Sequence, residues 1–144
     1  MRVMVIVKAN KSSESGKLPT ESDLTTMMKY NEELVKAGIL LAGEGLHPSM
    51  KGKRVLFGQG KPTVVDGPFT ETKELVAGFW LWQVKSMDEA VEWLKRMPQS
   101  NDEHGICNVE IRPVFEAEDF GENLTPETRA KEEELRRLSG EAKR

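Results

Sequence analysis

Apolar side chains fall on both sides of residues 2–8, with Val3, Val5 and Val7 alternating against Met4 and Ile6, and the period of two predicts a β-strand. A Lys/Ser/Glu/Gly loop follows. Thr20 with Asp23 three residues on has capping-box spacing and predicts a helix, which Gly38 ends. Leu24, Met27, Met28, Leu34 and Val35 form its apolar stripe, and Asn31 sits within it. Residues 39–46 read as a strand interrupted by Gly43 and Gly45, where a missing side chain makes a bulge or lets a neighbour approach. Residues 54–57 and 63–65 flank Gly58-Gln59-Gly60-Lys61-Pro62, a hairpin signal. Residues 78–84 form the next strand, Ser86 with Glu89 caps a helix reaching Met97, and residues 108–114 supply the last strand.

The order βαβ, hairpin, βαβ predicts an α+β protein: a ferredoxin-like βαββαβ sheet with an inserted hairpin and both helices on one face. Phe79 and Leu81 alternate with Trp80 and Trp82, so this strand, like the first, is apolar on both faces and calls for cover on both. The helices supply one layer through the stripe above and through Ala90, Leu94 and Met97. A second sheet must supply the other, which predicts a homodimer packed sheet against sheet.

A chain of 144 residues with 38% hydrophobic content fills one core. That core is expected over residues 1–115. Composition then turns to Glu, Lys and Arg, and residues 116–144 read as a charged extension, helical from Thr125-Pro126-Glu127 or disordered, with Leu135 and Leu138 as its apolar positions and Phe115 and Phe120 anchoring its start. A net charge of −3, from 21 basic and 24 acidic residues, offers no field to hold a phosphate backbone, so nucleic-acid partners are not expected. No apolar run approaches membrane-spanning length, and residues 1–7 are too short for a signal core. With a single cysteine, Cys107, best read as a small buried hydrophobe, the expectation is a cytoplasmic protein without membrane contact.

The densest chemistry lies in Asp66-Gly67-Pro68-Phe69-Thr70-Glu71-Thr72-Lys73-Glu74. Gly permits backbone angles that other residues avoid, Pro fixes its own φ, and Asp can bond the backbone two residues on, so this is a shaped loop. The nonapeptide resembles the signature of the DGPF group of the YCII-related (YciI-like) family, usually DGPFAETKE, with Thr70 where Ala is common. Tyr30-Asn31-Glu32-Glu33-Leu34, Gly43-Glu44-Gly45-Leu46-His47-Pro48, Gly78-Phe79-Trp80 and Glu110-Ile111-Arg112-Pro113 follow the family's order and spacing. The resemblance covers about residues 1–115. It implies a ferredoxin-like fold pairing into a dimeric α+β barrel, and no settled reaction. In the shorter YciI-like branch it further implies a histidine near Asn31, partnered with an aspartate. Here the residue is asparagine.

His47 at a strand end, with Asp66 as its partner, is the candidate catalytic pair: a carboxylate orients an imidazole that acts as a general base near neutral pH. A solvated loop histidine is the alternative. An amide amid an apolar stripe needs partners, since leaving it unmatched costs roughly 1–3 kcal/mol, so Asn31 bonds its neighbours or faces a polar pocket. Glu44, Phe69, Glu71, Lys73 and Glu74 are, with Asn31, candidate ligand-binding residues, the alternative for the charged ones being mutual pairing in solvent. Glu110 and Arg112 share one side of the last strand. Glu44 with His47, and His104 with Cys107, have three-residue spacing, but neither completes a four-ligand set, so no metal is expected. No phosphate-cradling glycine loop or nucleophile elbow occurs, and no cofactor is expected. Two functions follow: a small-molecule enzyme doing acid/base chemistry in a barrel-side pocket, or a non-catalytic ligand-binding or accessory module.

Overall fold

The computed structural model describes residues 1–99 and 107–142. The chain divides into two compact units, Met1–Pro113 and Val114–Arg144.

The first unit runs β1 (Arg2–Lys8), α1 (Lys11–Glu14), α2 (Glu21–Lys36), β2 (Leu40–Gly45), β3 (Lys53–Leu56), β4 (Thr63–Asp66), β5 (Val76–Gln83), α3 (Met87–Lys95) and β6 (Val109–Pro113). Short 3-10 turns occupy Ser49–Lys51 and Thr72–Glu74. Four strands form an antiparallel sheet in the order β2-β5-β1-β6, and β3-β4 pair separately. Because β1 and β2 both run against β5, they are parallel to each other with β5 between them; β5 and β6 likewise flank β1. These are two split βαβ units, the ferredoxin-like arrangement with a hairpin inserted between β2 and β5.

Local chemistry sets the helix ends. The Thr20 hydroxyl accepts from the Asp23 N–H while Asp23 accepts from the Thr20 N–H, closing the expected capping box. Gly38, at φ 74°, takes the left-handed conformation that ends α2. The Ser86 hydroxyl accepts from the Glu89 N–H to start α3. The loop expected after β1 contains a helical turn, α1, capped by Asn10 and Ser13.

Val3, Val5, Trp80 and Trp82 lie on the sheet face beneath the helices, packed with Tyr30, Leu34, Ile39, Ala90 and Met97. Strand register puts Met4, Ile6, Phe79 and Leu81 on the opposite face, with Glu44 directly across from Phe79 and Glu110 across from Ile6. The two-faced apolarity of β1 and β5 is therefore present, with α2 and α3 packed on the first face.

The buried stripe of α2 differs from the expected one. Tyr30 and Leu34 are buried and Met27 partly so, whereas Leu24, Met28 and Val35 are 46%, 66% and 60% exposed. Tyr30 decides the rotation: its hydroxyl donates to the Trp93 carbonyl on α3 at 2.6 Å, and its ring meets Trp80 edge-on at 5.8 Å. That pulls the far flank of the stripe into solvent.

In the second unit, a 3-10 segment (Ala117–Asn123) leads into α4 (Pro126–Ala142). Phe115 stacks on Phe120 at 5.1 Å, and both rings line a cavity of about 320 Å³ with Leu124, Glu132 and Arg136.

Candidate functional site

Asp66 ends β4 directly opposite Lys53 of β3, and the two side chains form an ion pair across the hairpin. Both are mostly in solvent, at 73% and 66% exposure. The chain then turns through a cis Gly67–Pro68 peptide. At Gly67, a Cβ would stand 1.8 Å from the Ser49 carbonyl oxygen, so only glycine allows this approach. The Gly67 N–H donates to the Gly52 carbonyl at 3.0 Å, and the Phe69 N–H donates to Ser49 Oγ at 3.1 Å. The signature loop thus lies on the 3-10 turn that follows His47 and Pro48.

That turn is held in place from the amino-terminal side. Pro48 provides no side-chain cap, and the Glu14 carboxylate accepts instead from the Ser49 N–H at 3.1–3.2 Å and from Ser49 Oγ at 2.9 Å. Phe69 is half-buried, with the Arg54 guanidinium 3.9 Å from its ring centroid, a cation–π contact across the base of the hairpin. Glu71, Lys73 and Glu74 are exposed at the next turn, where the Glu74 N–H donates to the Glu71 carbonyl. His47 is exposed two residues before Ser49.

Asn31 lies elsewhere. Its Oδ1 accepts the Trp80 indole N–H at 2.9 Å beneath α2 and α3, while Glu44 stands across from Phe79 on the other face. The two lie on opposite sides of the sheet. Gly43 makes the Asn31 contact possible, since a Cβ there would come within 2.6 Å of Trp80 Cδ1. The structure thus brings together Asp66, Phe69 and the segment containing His47, and sets Asn31 apart as a tie between helix and sheet. Four contributors went unread in the sequence: Glu14, Ser49, Lys53 and Arg54. Asn10-x-x-Ser13, the capping pair of α1, was the available signal for the element that carries Glu14.

A groove of about 500 Å³ runs between α3 and β6, lined by Met87, Val91, Leu94, Val109 and Ile111, and touches neither Asp66 nor His47. Cys107, expected as a buried hydrophobe, is an exposed free thiol on its rim, because it precedes β6 instead of facing the core. The groove wall still desolvates the thiol enough to raise its pKa, which disfavours the nucleophilic thiolate. Among the described residues no group of three or more His, Cys, Asp or Glu side chains is placed to hold a metal ion. His104 lies outside the described residues. No described helix is long and apolar enough to cross a membrane.

The model of the YCII-related domain matches residues 1–117. This chain belongs to the YCII-related family. An uncharacterized protein of Rhizobium meliloti (strain 1021) is 30% identical over 103 residues, covering 72% of this chain and 82% of that protein. Among solved structures, 5-chloro-2-hydroxyhydroquinone dehydrochlorinase from Burkholderia phenoliruptrix AC1100, in complex with 2,5-dihydroxybenzoquinone, matches with a TM-score of 0.45 and 17% identity, covering 83% of this chain and 98% of that one. The family description denotes a domain and no reaction, so activity rests on the site.

Proposed function

We propose that this YCII-related chain, of the DGPF group, acts as a cytoplasmic homodimer that binds a small polar molecule beside the signature loop and moves protons there with Asp66 and His47. One observation carries the reading: Gly67 lies against Ser49, so the strand end bearing Asp66 meets the segment opened by His47, 19 residues earlier in the chain. The Lys53–Asp66 pair supports it as well. An exposed ion pair contributes about 0–1 kcal/mol, so a charged ligand exchanges for either partner at small cost. Glu44, Phe69, Glu71, Lys73 and Glu74 border the same region in this reading, and Asn31, beneath the helices, takes no part.

The homodimer is supported by Met4, Ile6, Phe79 and Leu81, apolar residues on the sheet face opposite α2 and α3. The inserted hairpin adds to this, since Val55, Leu56, Val64 and Val65 are 38–59% exposed and an isolated two-stranded hairpin is marginal in water. The single cysteine suits a reducing compartment.

A second reading, a non-catalytic binding or accessory module, is favoured by the engagement of the signature residues with the protein itself: Phe69 under Arg54, and Asp66 with Lys53. The test incubates the protein with a panel of small carboxylic acids and ketones and follows both turnover and binding by NMR. Turnover abolished by Asp66→Asn and reduced by His47→Gln supports the enzyme. Binding without turnover, insensitive to His47→Gln, selects the module.

A further inference from the structure

We infer that Glu14 is the positioning residue of the signature loop, acting through Ser49. The inference rests on the reading that this loop is the functional site. Three segments distant in sequence meet at one hydroxyl: Ser49 Oγ donates to Glu14 Oε2 at 2.9 Å and accepts from the Phe69 N–H at 3.1 Å. Glu14 also accepts the Ser49 N–H, which the 3-10 turn leaves without a partner of its own. A carboxylate that takes both donors of one residue fixes the orientation of that hydroxyl, so its lone pairs point toward Phe69. Hydrogen bonds to an ionised acceptor are stronger than neutral ones, and a donor engaged with a carboxylate makes its own oxygen a better acceptor.

Ser49 is held on a second side as well. Its carbonyl accepts the Gly52 N–H at 2.8 Å, the Gly52 carbonyl accepts the Gly67 N–H at 3.0 Å, and Gly67 has no side chain to push the two strands of this junction apart. Beside its contacts with Lys53 and Arg54 of β3, the loop therefore rests on one small turn, and Glu14 is the charged group that orients that turn. Glu14 is half-buried on a helical turn that Asn10 and Ser13 cap reciprocally, so the carboxylate is itself presented from a fixed backbone. It touches no ligand in this account.

The test is amide hydrogen exchange on the intact chain. Glu14→Ala is expected to speed exchange at Phe69 by about tenfold or more, the loss of a charge-assisted network, with Val5 and Trp80 unchanged. Ser49→Ala should do the same, and Glu14→Gln, which retains one acceptor oxygen, should restore part of the protection. Unaltered exchange at Phe69 in Glu14→Ala overturns the inference, as does equal acceleration throughout the sheet, which would mark a purely global role. If Glu14→Ala does not fold, Glu14→Gln against wild type gives the same comparison. Asp66→Asn separates the two claims: ligand turnover or binding that survives it refutes the functional reading, while the exchange result at Phe69 stands or falls by itself.

Discussion

Trp80 donates its indole N–H to Asn31 Oδ1 at 2.9 Å, joining β5 to α2. The bond gives an amide in an apolar stripe its partner and gives a buried indole its acceptor. Replacing Asn31 by Leu leaves that N–H unmatched. The expected cost is about 1–3 kcal/mol in urea unfolding, with Asn31→Asp, which keeps an acceptor, closer to wild type. Gly43→Ala should destabilise by a similar amount, because the added methyl would displace the Trp80 ring from Asn31.

Gly67→Ala tests the junction between the signature loop and Ser49. A Cβ placed 1.8 Å from a backbone oxygen cannot be accommodated by turning a side chain, so the loop itself must shift. Destabilisation of roughly 1–3 kcal/mol is expected, with the Phe69 amide losing protection. Gly58→Ala, where the new methyl meets nothing within 4 Å, is the control and should stay near wild type.

Tyr30 predicts a stability loss at high pH. Burial raises its pKa to about 12, with Arg96 lowering and Glu33 raising it by smaller amounts. The folded state thus holds the phenolic proton more tightly than the unfolded chain, whose tyrosine titrates near 10. This contribution is complete below pH 10 and disappears as the pH rises through 12, a change on the order of 1–3 kcal/mol. Chemical denaturation at pH 9 and at pH 12 should show a smaller decrease in Tyr30→Phe than in wild type.

Sedimentation tests the dimer. At micromolar concentration the wild type is expected at twice the 16.2 kDa chain mass. Ile6→Lys and Phe79→Glu each place a charge on the sheet face opposite α2 and α3 and should give monomers that keep the far-ultraviolet signature of the fold. A wild type that sediments as a monomer refutes sheet-on-sheet pairing.

What the sequence determined by itself was the periodic part of the molecule. Alternation in β1 and β5, the Thr20 and Ser86 caps and the glycine-rich hairpin turn are encoded within a few residues of where they act, so the α+β ferredoxin-like order and the apolarity of both sheet faces could be read directly. The shaped loop at Asp66–Phe69 was legible for the same reason, since Gly and Pro limit the backbone locally. The tertiary structure alone decided which side chains meet. Glu14, Ser49 and Phe69 are separated by 35 and 20 residues, and no local pattern encodes a hydrogen bond across such distances. It also decided the face of α2: helical spacing put Leu24, Met28 and Val35 in the stripe with Met27 and Leu34, whereas Tyr30, bonded to Trp93 on another helix, is the residue that is buried. Asn31 was visible as an anomaly in its stripe, but its partner was not, because Trp80 reaches it only where Gly43 leaves room.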